Sequence, residues 1–303
     1  MPSLEIHPLS DLRGQAARLL AERYAAQRLA EPLLPEIVDF HAHVPDEEGL
    51  VATRGRDAVA YLAGTVDGET ARVGFAGCAA SEPEALRDLF AVLAVHWDVS
   101  RFAVAVPSSS AELIDAFFRL AFGCQFVWAV RDTLPWPSTT AAVEAHGASI
   151  RPSTPEDLAA VAGFDEILRT HQAGSPSFSG LHVASADEFR EEWSNLWAEE
   201  EYPVHVVAEL EGRIVGHALL YLRPGGDLRV PAHNIDLAHV ATLADVRGKG
   251  VGLALTAHVL EWAREHGYRS MTTDWRMVNL LSSRYWPRRG FRPQYLRLYR
   301  AVP

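Results

Sequence analysis

DVRGKGVGLALTAHVLEW spans Asp245–Trp262, and its six residues RGKGVG (247–252) carry three glycines and two cations ahead of an apolar, helix-spaced run. Three phosphate-loop patterns compete for it. A P-loop needs GxxxxGK[ST], but Leu243 stands at the first glycine position and Gly250 follows Lys249. A dinucleotide fingerprint needs GxGxxG, but Gly248 and Gly250 are followed by Leu253 at the last position. The third pattern, [QR]xxGx[GA] between a strand and a helix, is met by Arg247, Gly250 and Gly252. Such a stretch suits a pyrophosphate. Glycines let backbone N–H groups approach an anion without a Cβ in the way. The helix N-terminus adds orphan donors and partial positive charge, and Arg247 and Lys249 add charge-assisted contacts. The plain alternative is a glycine-rich turn with solvated cations.

Working outward, the surrounding periodicity predicts helices over Pro155–Thr170, Ala186–Glu201, Val251–His266 and Asn279–Arg288. It predicts strands over Asn234–Leu243, Ser270–Trp275 and Gln294–Arg300, and a hairpin over His205–Leu222 that turns at Glu211-Gly212. A hairpin followed by alternating strands and helices implies a mixed α/β sheet with helices on both faces.

The two halves echo each other. LEIHPLSDL (4–12) resembles ASIRPSTPEDL (148–158), and AFFRLAFGCQFVWAVR (116–131) resembles RYWPRRGFRPQYLRLYR (284–300). Leu134–Ser149, with two prolines and small residues, reads as a linker. The expected organisation is therefore a domain at 1–135, a linker at 136–147 and a second domain of the same fold at 148–303.

Composition narrows the function classes. Of 303 residues, 48% are hydrophobic and 22% charged, as in a globular protein. No apolar run reaches the length of a membrane span, and nothing at the N-terminus resembles a signal peptide. Two cysteines make neither a disulfide framework nor a zinc site, which fits a reducing cytoplasm. A net charge of −11 opposes nucleic acid and favours a cationic or amine-bearing small molecule as partner. Lys249 is the only lysine in the chain.

NLLSSRYWPRRGF (279–291) lies one helix and one strand beyond the glycine loop. Together the two motifs resemble the acetyl-CoA-binding half of the GNAT acyltransferase superfamily, whose second motif is close to NxxAxx[FL]YxxxGF. Asn279, Gly290 and Phe291 match it, Ser282 stands at the small-residue position, and SIRPSTPEDLAAV is typical of the family's first strand and helix. The resemblance covers about 149–303 and implies two tandem GNAT-like domains, with acetyl-CoA as cosubstrate and no metal. By the same resemblance, amides from Arg247 through Gly248, Lys249, Gly250 and Val251 to Gly252 would grip the pyrophosphate. Val240, Ala241 and Thr242 would splay from the neighbouring strand and meet the acyl and pantetheine groups, and Asn279, Ser282 and Trp286 would sit near the sulfur.

Acyl transfer to an amine needs a proton acceptor, donors for the oxyanion and a proton for the thiolate. Asp236 lies eleven residues before Arg247, where several family members carry a base. Strand alternation puts it on one face with Ala238, Val240 and Thr242. It is equally readable as a strand-end carboxylate bonding locally or pairing with an arginine. His233 and His239 are secondary candidates, with His239 expected on the opposite face.

Many family members place an acid tyrosine seven positions after the motif asparagine; here Trp286 stands there and Tyr285 one place earlier. Tyr285 is a candidate acid, but one residue on a helix turns it by about 100°. Ser282 is another, and the thiolate can also leave unaided. His171, Trp193 and Trp197 are candidates for the acceptor pocket, with core packing the alternative for the tryptophans.

The first half lacks the loop: AASEPEALRDLFAVLAVHW holds no glycine where the motif should be, and Ala121-Phe122 replaces Gly-Phe. It reads as a non-binding copy, or else as an unrelated α/β domain. One stretch there, VDFHAHVP (38–45), has the DxHxH look of amidohydrolase metal ligands in Asp39, His41 and His43. The expected function is acetyl-CoA-dependent N-acetylation of a small-molecule amine by direct transfer, in a monomer or homodimer. The alternatives are a non-catalytic acyl-CoA sensor and a metal-dependent hydrolase.

Overall fold

The computed structural model describes residues 2–46, 48–135, 147–178, 185–198, 204–223 and 225–302. The expected linker falls almost wholly outside them. The chain divides into two compact units. The first comprises Met1–Ala129, Gly226–Pro231 and Pro293–Pro303; the second comprises Val130–Gly225 and Ala232–Arg292. A contiguous second domain over 148–303 is thus not what the chain forms, since its last strand groups with the first unit.

In the first unit, β1 (Leu4–Pro8) leads through a 3-10 turn into α1 (Arg13–Ala30). β2 (Gly49–Arg54), β3 (Asp57–Ala63), the hairpin β4 (Thr65–Asp67) and β5 (Thr70–Val73), and β6 (Cys78–Ala80) follow. Then come α2 (Ala85–Trp97), β7 (Arg101–Pro107), α3 (Ala111–Phe118) and β8 (Gly123–Asp132), whose last residues pass into the second unit. The order β1-β2-β3-β6 forms one sheet, and β4, β5, β7, the final strand β14 (Arg292–Ala301) and β8 are successive neighbours in another. The apolar faces of α2 and α3 bury Leu86, Leu89, Phe90, Leu93, Leu113 and Phe117 with Phe102, Val104 and Leu298. α1 buries Leu19, Leu20 and Tyr24 over Val51, Tyr61 and Ala63.

In the second unit, β9 (Ser149–Pro152) again leads through a 3-10 turn into a helix, α4 (Leu158–Ala173). Thr154 and Asp157 form a capping box there, and Arg151 grips Asp157 at 2.7 and 2.9 Å. This accounts for the sequence SIRPSTPED: the threonine and aspartate satisfy the helix's first amides. α5 (Ala186–Ala198), β10 (Val204–Leu210), β11 (Arg213–Tyr221), β12 (Asn234–Thr242), α6 (Val251–Glu265), β13 (Ser270–Arg276) and α7 (Leu280–Tyr285) follow. The sheet order is β13-β12-β11-β10-β9. Glu211 and Gly212 both have positive φ, 54° and 77°, the I′ geometry that tight hairpins require.

The two halves of the sequence therefore repeat strand, 3-10 turn, helix, antiparallel pair, strand, helix, strand, helix and strand, with β4 and β5 inserted in the first and α5 in the second. The echo extends to one backbone angle. Gly290 precedes β14 with φ 79°, and Ala121 holds the matching place before β8 with φ 63°. Left-handed backbone costs a residue with a Cβ about 1–2 kcal/mol. Ala121 is exposed, so Ala121→Gly is expected to raise stability by about 1 kcal/mol, read as a higher midpoint in urea.

The first unit also shows why its loop carries no glycines. Ahead of α2, the amides of Ala85, Leu86 and Arg87 are taken by the carbonyls of Glu82, Pro83 and Glu84. The carboxylates of Glu82 and Glu84 pair with Arg54 and Arg119, each at 2.6 Å. The positive end of α2 thus already has its anions. The inserted β5 runs parallel beside β7, from Thr70↔Arg101 to Val73↔Val104.

Candidate active site

β12 and β13 pair in parallel through four rungs, Asn234↔Ser270 to Leu237↔Thr273, and no further. Beyond Leu237, β12 runs on to Thr242 and β13 to Arg276 without pairing. Side chains anchor the paired end. Thr272 Oγ1 donates to Asp236 Oδ1 (2.6 Å), Asn234 Nδ2 to Thr272 Oγ1 (2.9 Å), and Thr273 Oγ1 to the Leu237 carbonyl (2.8 Å). The strands then part, as expected for Val240, Ala241 and Thr242, and these three line one wall of a cavity of about 470 Å³.

The glycine loop lines a second wall with Arg247, Gly248, Gly250, Val251, Gly252 and Leu253. Gly250 is the N-cap of α6 at φ 88° and contributes no side-chain cap. Gly248 has φ 77°. The first amide of this turn with a helical partner is that of Ala254, which donates to the Gly250 carbonyl (2.9 Å). Among the described residues, the amides of Gly248, Gly250, Val251, Gly252 and Leu253 have no acceptor. Five unspent donors gather at a helix N-terminus, with Arg247 exposed beside them, an arrangement that suits an anion. Lys249 is exposed and lies outside the cavity lining.

The third wall holds Asn279, Leu281, Ser282, Tyr285, Trp286 and Arg289, and α4 adds Ile167, Leu168 and His171. Asn279 is buried and caps α7, its Oδ1 accepting from Leu281 N (3.1 Å) and Ser282 N (3.4 Å). Trp286 packs edge-on to Phe291 with centroids 5.3 Å apart, which is why this motif position tolerates an indole. Tyr285 is committed elsewhere: its hydroxyl donates to the Gly252 carbonyl (2.7 Å) and lies 2.8 Å from Thr256 Oγ1. Burial pushes that phenol up from its ordinary value.

Asp236 sits differently from the expectation of strand alternation. Leu219 faces His239 and Leu220 faces Leu237, so Ala238 is an extra residue in β12. One bulged residue reverses the alternation. Asp236 therefore shares the face of His239, while Leu237 shares that of Val240 and Thr242. The carboxylate is buried, bonded to Thr272 and 2.7 Å from Arg223 Nη2, and is not part of the cavity lining. This is the locally paired aspartate of the alternative reading.

On that face lies a polar network that sequence spacing did not reveal. Asp165 Oδ2 accepts from Trp193 Nε1 (2.6 Å), and Oδ1 lies 3.1 Å from His239 Nδ1. Burial raises the Asp165 carboxyl, but His239, His217 and Trp193 together hold it below its ordinary value. His205 Nε2 meets His217 Nδ1 at 3.0 Å, and His205 Nδ1 meets Ser153 Oγ at 2.6 Å. Burial drives His205 down to about 4 and His217 well down too. Trp193 is thus a core residue packed with Phe189, Val161 and Leu219, away from the cavity lining. The Trp197 side chain and residues 199–203 lie outside the described residues. Only local signals were available for this network, and its members come from α4, α5, β10, β11 and β12.

In the first unit, Asp39, His41 and His43 occupy a turn, not a strand end. Asp39 Oδ1 accepts from the amides of His41 (2.9 Å) and Ala42 (3.3 Å), so the carboxylate closes the turn. No cluster of three potential ligands forms among the described residues.

Residues 167–291 match the acetyltransferase (GNAT) family. No curated protein matches the chain in sequence. Among solved structures, a GCN5-related N-acetyltransferase from Sphaerobacter thermophilus superposes with a TM-score of 0.56 at 15% identity, covering 99% of this chain and 96% of that one. A GNAT-family acetyltransferase from Colwellia psychrerythraea gives 0.52 at 13% identity, covering 99% and 100%. A glucosamine N-acetyltransferase region of a fungal multi-domain β-N-acetylglucosaminidase gives 0.53 at 13% identity, covering 99% of this chain and 38% of that one. These likenesses concern the fold, and they run through both units. Among the described residues no helix is long and apolar enough to cross a membrane. The match to the acetyltransferase (GNAT) family thus lies within residues 167–291, and the earlier half of the chain repeats the same succession of elements.

Proposed function

We propose that the second unit binds acetyl-CoA and passes its acetyl group directly to the amine of a small molecule. The observation that carries this reading is the row of five unspent amides from Gly248 to Leu253 on the wall of the cavity. The residues fit such a cosubstrate. The amides and Arg247 would hold the pyrophosphate, and the backbone of Val240–Thr242, paired with β11 on one side but not with β13 on the other, would meet the pantetheine amides and the acyl carbonyl. Bound there, acetyl-CoA supplies the activated acyl group; the chain supplies position, donors and exclusion of water. A small-molecule acceptor is preferred over nucleic acid because the net charge is −11.

Calorimetric titration with acetyl-CoA tests the reading. One site per chain is expected. Two sites would contradict a spent first unit, and no binding at millimolar ligand would overturn the assignment. Tyr285, with its hydroxyl committed to Gly252, favours a second reading in which the unit binds acyl-CoA without turnover. Release of CoA in the presence of any primary amine excludes that.

A further inference from the structure

The cavity needs a group that can take up and return a proton; of the residues expected to do so, Ser282 lines the wall with a hydroxyl that does not hold an amine's proton near neutral pH, and the other two do not serve. Asp236 is outside the lining and paired, and Tyr285 spends its proton on Gly252. The other titratable groups on the wall are His171, Arg247 and Arg289. Guanidinium does not give up its proton in proteins. Imidazole is left, the side chain suited to proton transfer near neutral pH.

The hydrogen bonds of His171 fix its tautomer. Its Nε2 lies 3.2 Å from Asn279 Oδ1. That oxygen is assigned by its own partners, because it accepts the amides of Leu281 and Ser282; a flipped amide would set NH₂ against two N–H donors. A nitrogen facing this oxygen must itself donate, so the proton of the neutral ring sits on Nε2. Nδ1 then carries the lone pair, and among the described residues it makes no hydrogen bond. The charged or titratable groups on the elements around it are Arg247, Tyr285 and Arg289 on the cavity wall, Asp165, Glu166 and Arg169 on α4, Asp236 and His239 on β12, Asp274 and Arg276 on β13, and Arg284 on α7.

We propose that His171 carries the reaction's proton, with Asn279 as its positioning residue. This rests on the acyltransferase reading above. Nδ1 accepts a proton from the attacking amine as the N–C bond forms. The same Nδ1–H returns that proton to sulfur as the C–S bond breaks, giving amide and free thiol. The ring ends as it began, so no further reactant enters. Asn279 Oδ1 holds Nε2–H throughout and stabilises the transient imidazolium. The arrangement accounts for a cavity in which tryptophan occupies the usual tyrosine position.

The test combines acetyl-CoA with a panel of polyamines, arylalkylamines, amino sugars and amino acids, and follows CoA release against pH. His171→Gln is expected to bind acetyl-CoA within about twofold of the parent, release CoA about 100-fold more slowly, and lose the acid limb of the rate profile. Asn279→Asp keeps the cap but places a carboxylate on Nε2–H, so the acid limb should move to higher pH. A fully active His171→Gln with an unchanged acid limb overturns the proposal and leaves the acyltransferase reading standing. Failure of the parent protein to bind acetyl-CoA, or binding without CoA release from any amine, overturns the acyltransferase reading and the role of His171 with it.

Discussion

Arg247→Glu is expected to weaken acetyl-CoA binding by about 100-fold or more while leaving the unfolding temperature where it was. A hydrogen bond to a charged group contributes about 1.5–3 kcal/mol. The variant removes one such contact and sets a carboxylate beside the same phosphates, so the two effects add. The fold should not notice, because Arg247 is exposed and, among the described residues, makes no ion pair. Lys249→Glu serves as the comparison. Lys249 is one residue past Gly248 but outside the cavity lining, so its reversal acts only through the screened field and should cost far less, with a loss that shrinks as salt is added. Calorimetry and thermal melts on both variants make the check. Equal losses would mean that charge near the loop matters and its row of amides does not.

The second large effect concerns acid. His205 is buried and its folded value is about 4, against 6.5 for an ordinary histidine. Its folded pKa is depressed, so between those values the unfolded chain binds a proton that the folded chain refuses. Stability is complete above pH 6.5 and is lost as pH falls towards 4. His205 alone accounts for roughly 3 kcal/mol at about 1.4 kcal/mol per unit, and His217, shifted the same way, steepens the fall. Asp165, held below its ordinary value, adds its own loss only at more acid pH. Urea denaturation at successive pH values between 7.5 and 4 should show a midpoint that falls continuously. A flat midpoint from pH 7 to 5 would mean that these imidazoles titrate normally and are not sealed in.

Local chemistry was legible in the sequence. RGKGVG could be read as a glycine turn opening a helix because left-handed backbone at Gly248 and Gly250 calls for glycines in sequence, and Glu211-Gly212 because a tight hairpin needs positive φ in sequence. The helix predicted from Pro155 is there as well, and the Thr154–Asp157 capping box at its start is what the structure adds. What depended on distance was not legible. The face of Asp236 was misread because one extra residue at Ala238 leaves no mark in the composition of the strand, yet reverses every side chain beyond it. Trp193 suggested an acceptor pocket because its partner Asp165, in another helix, could not be seen. His171 was read as an acceptor residue, while its bond to Asn279 spans 108 positions. The DFHAH motif offered the residue types of a metal site, but AEPLLPEI ahead of it reads as loop rather than strand, and the backbone there does turn.

The last strand belongs to the first unit, and this has a consequence for how the protein is made. β7 pairs with β14, register Pro107↔Tyr295 to Arg101↔Ala301, and Ser108 donates to a carbonyl 185 residues further on. Gln27, near the beginning, donates to the carbonyl of Gln294. A domain usually assembles as it leaves the ribosome, N-terminal part first. Here the earlier-made half waits with an open strand edge until nearly everything else has been synthesised. A premature stop at Pro293 would therefore harm not the half that it shortens in the gene but the half translated first.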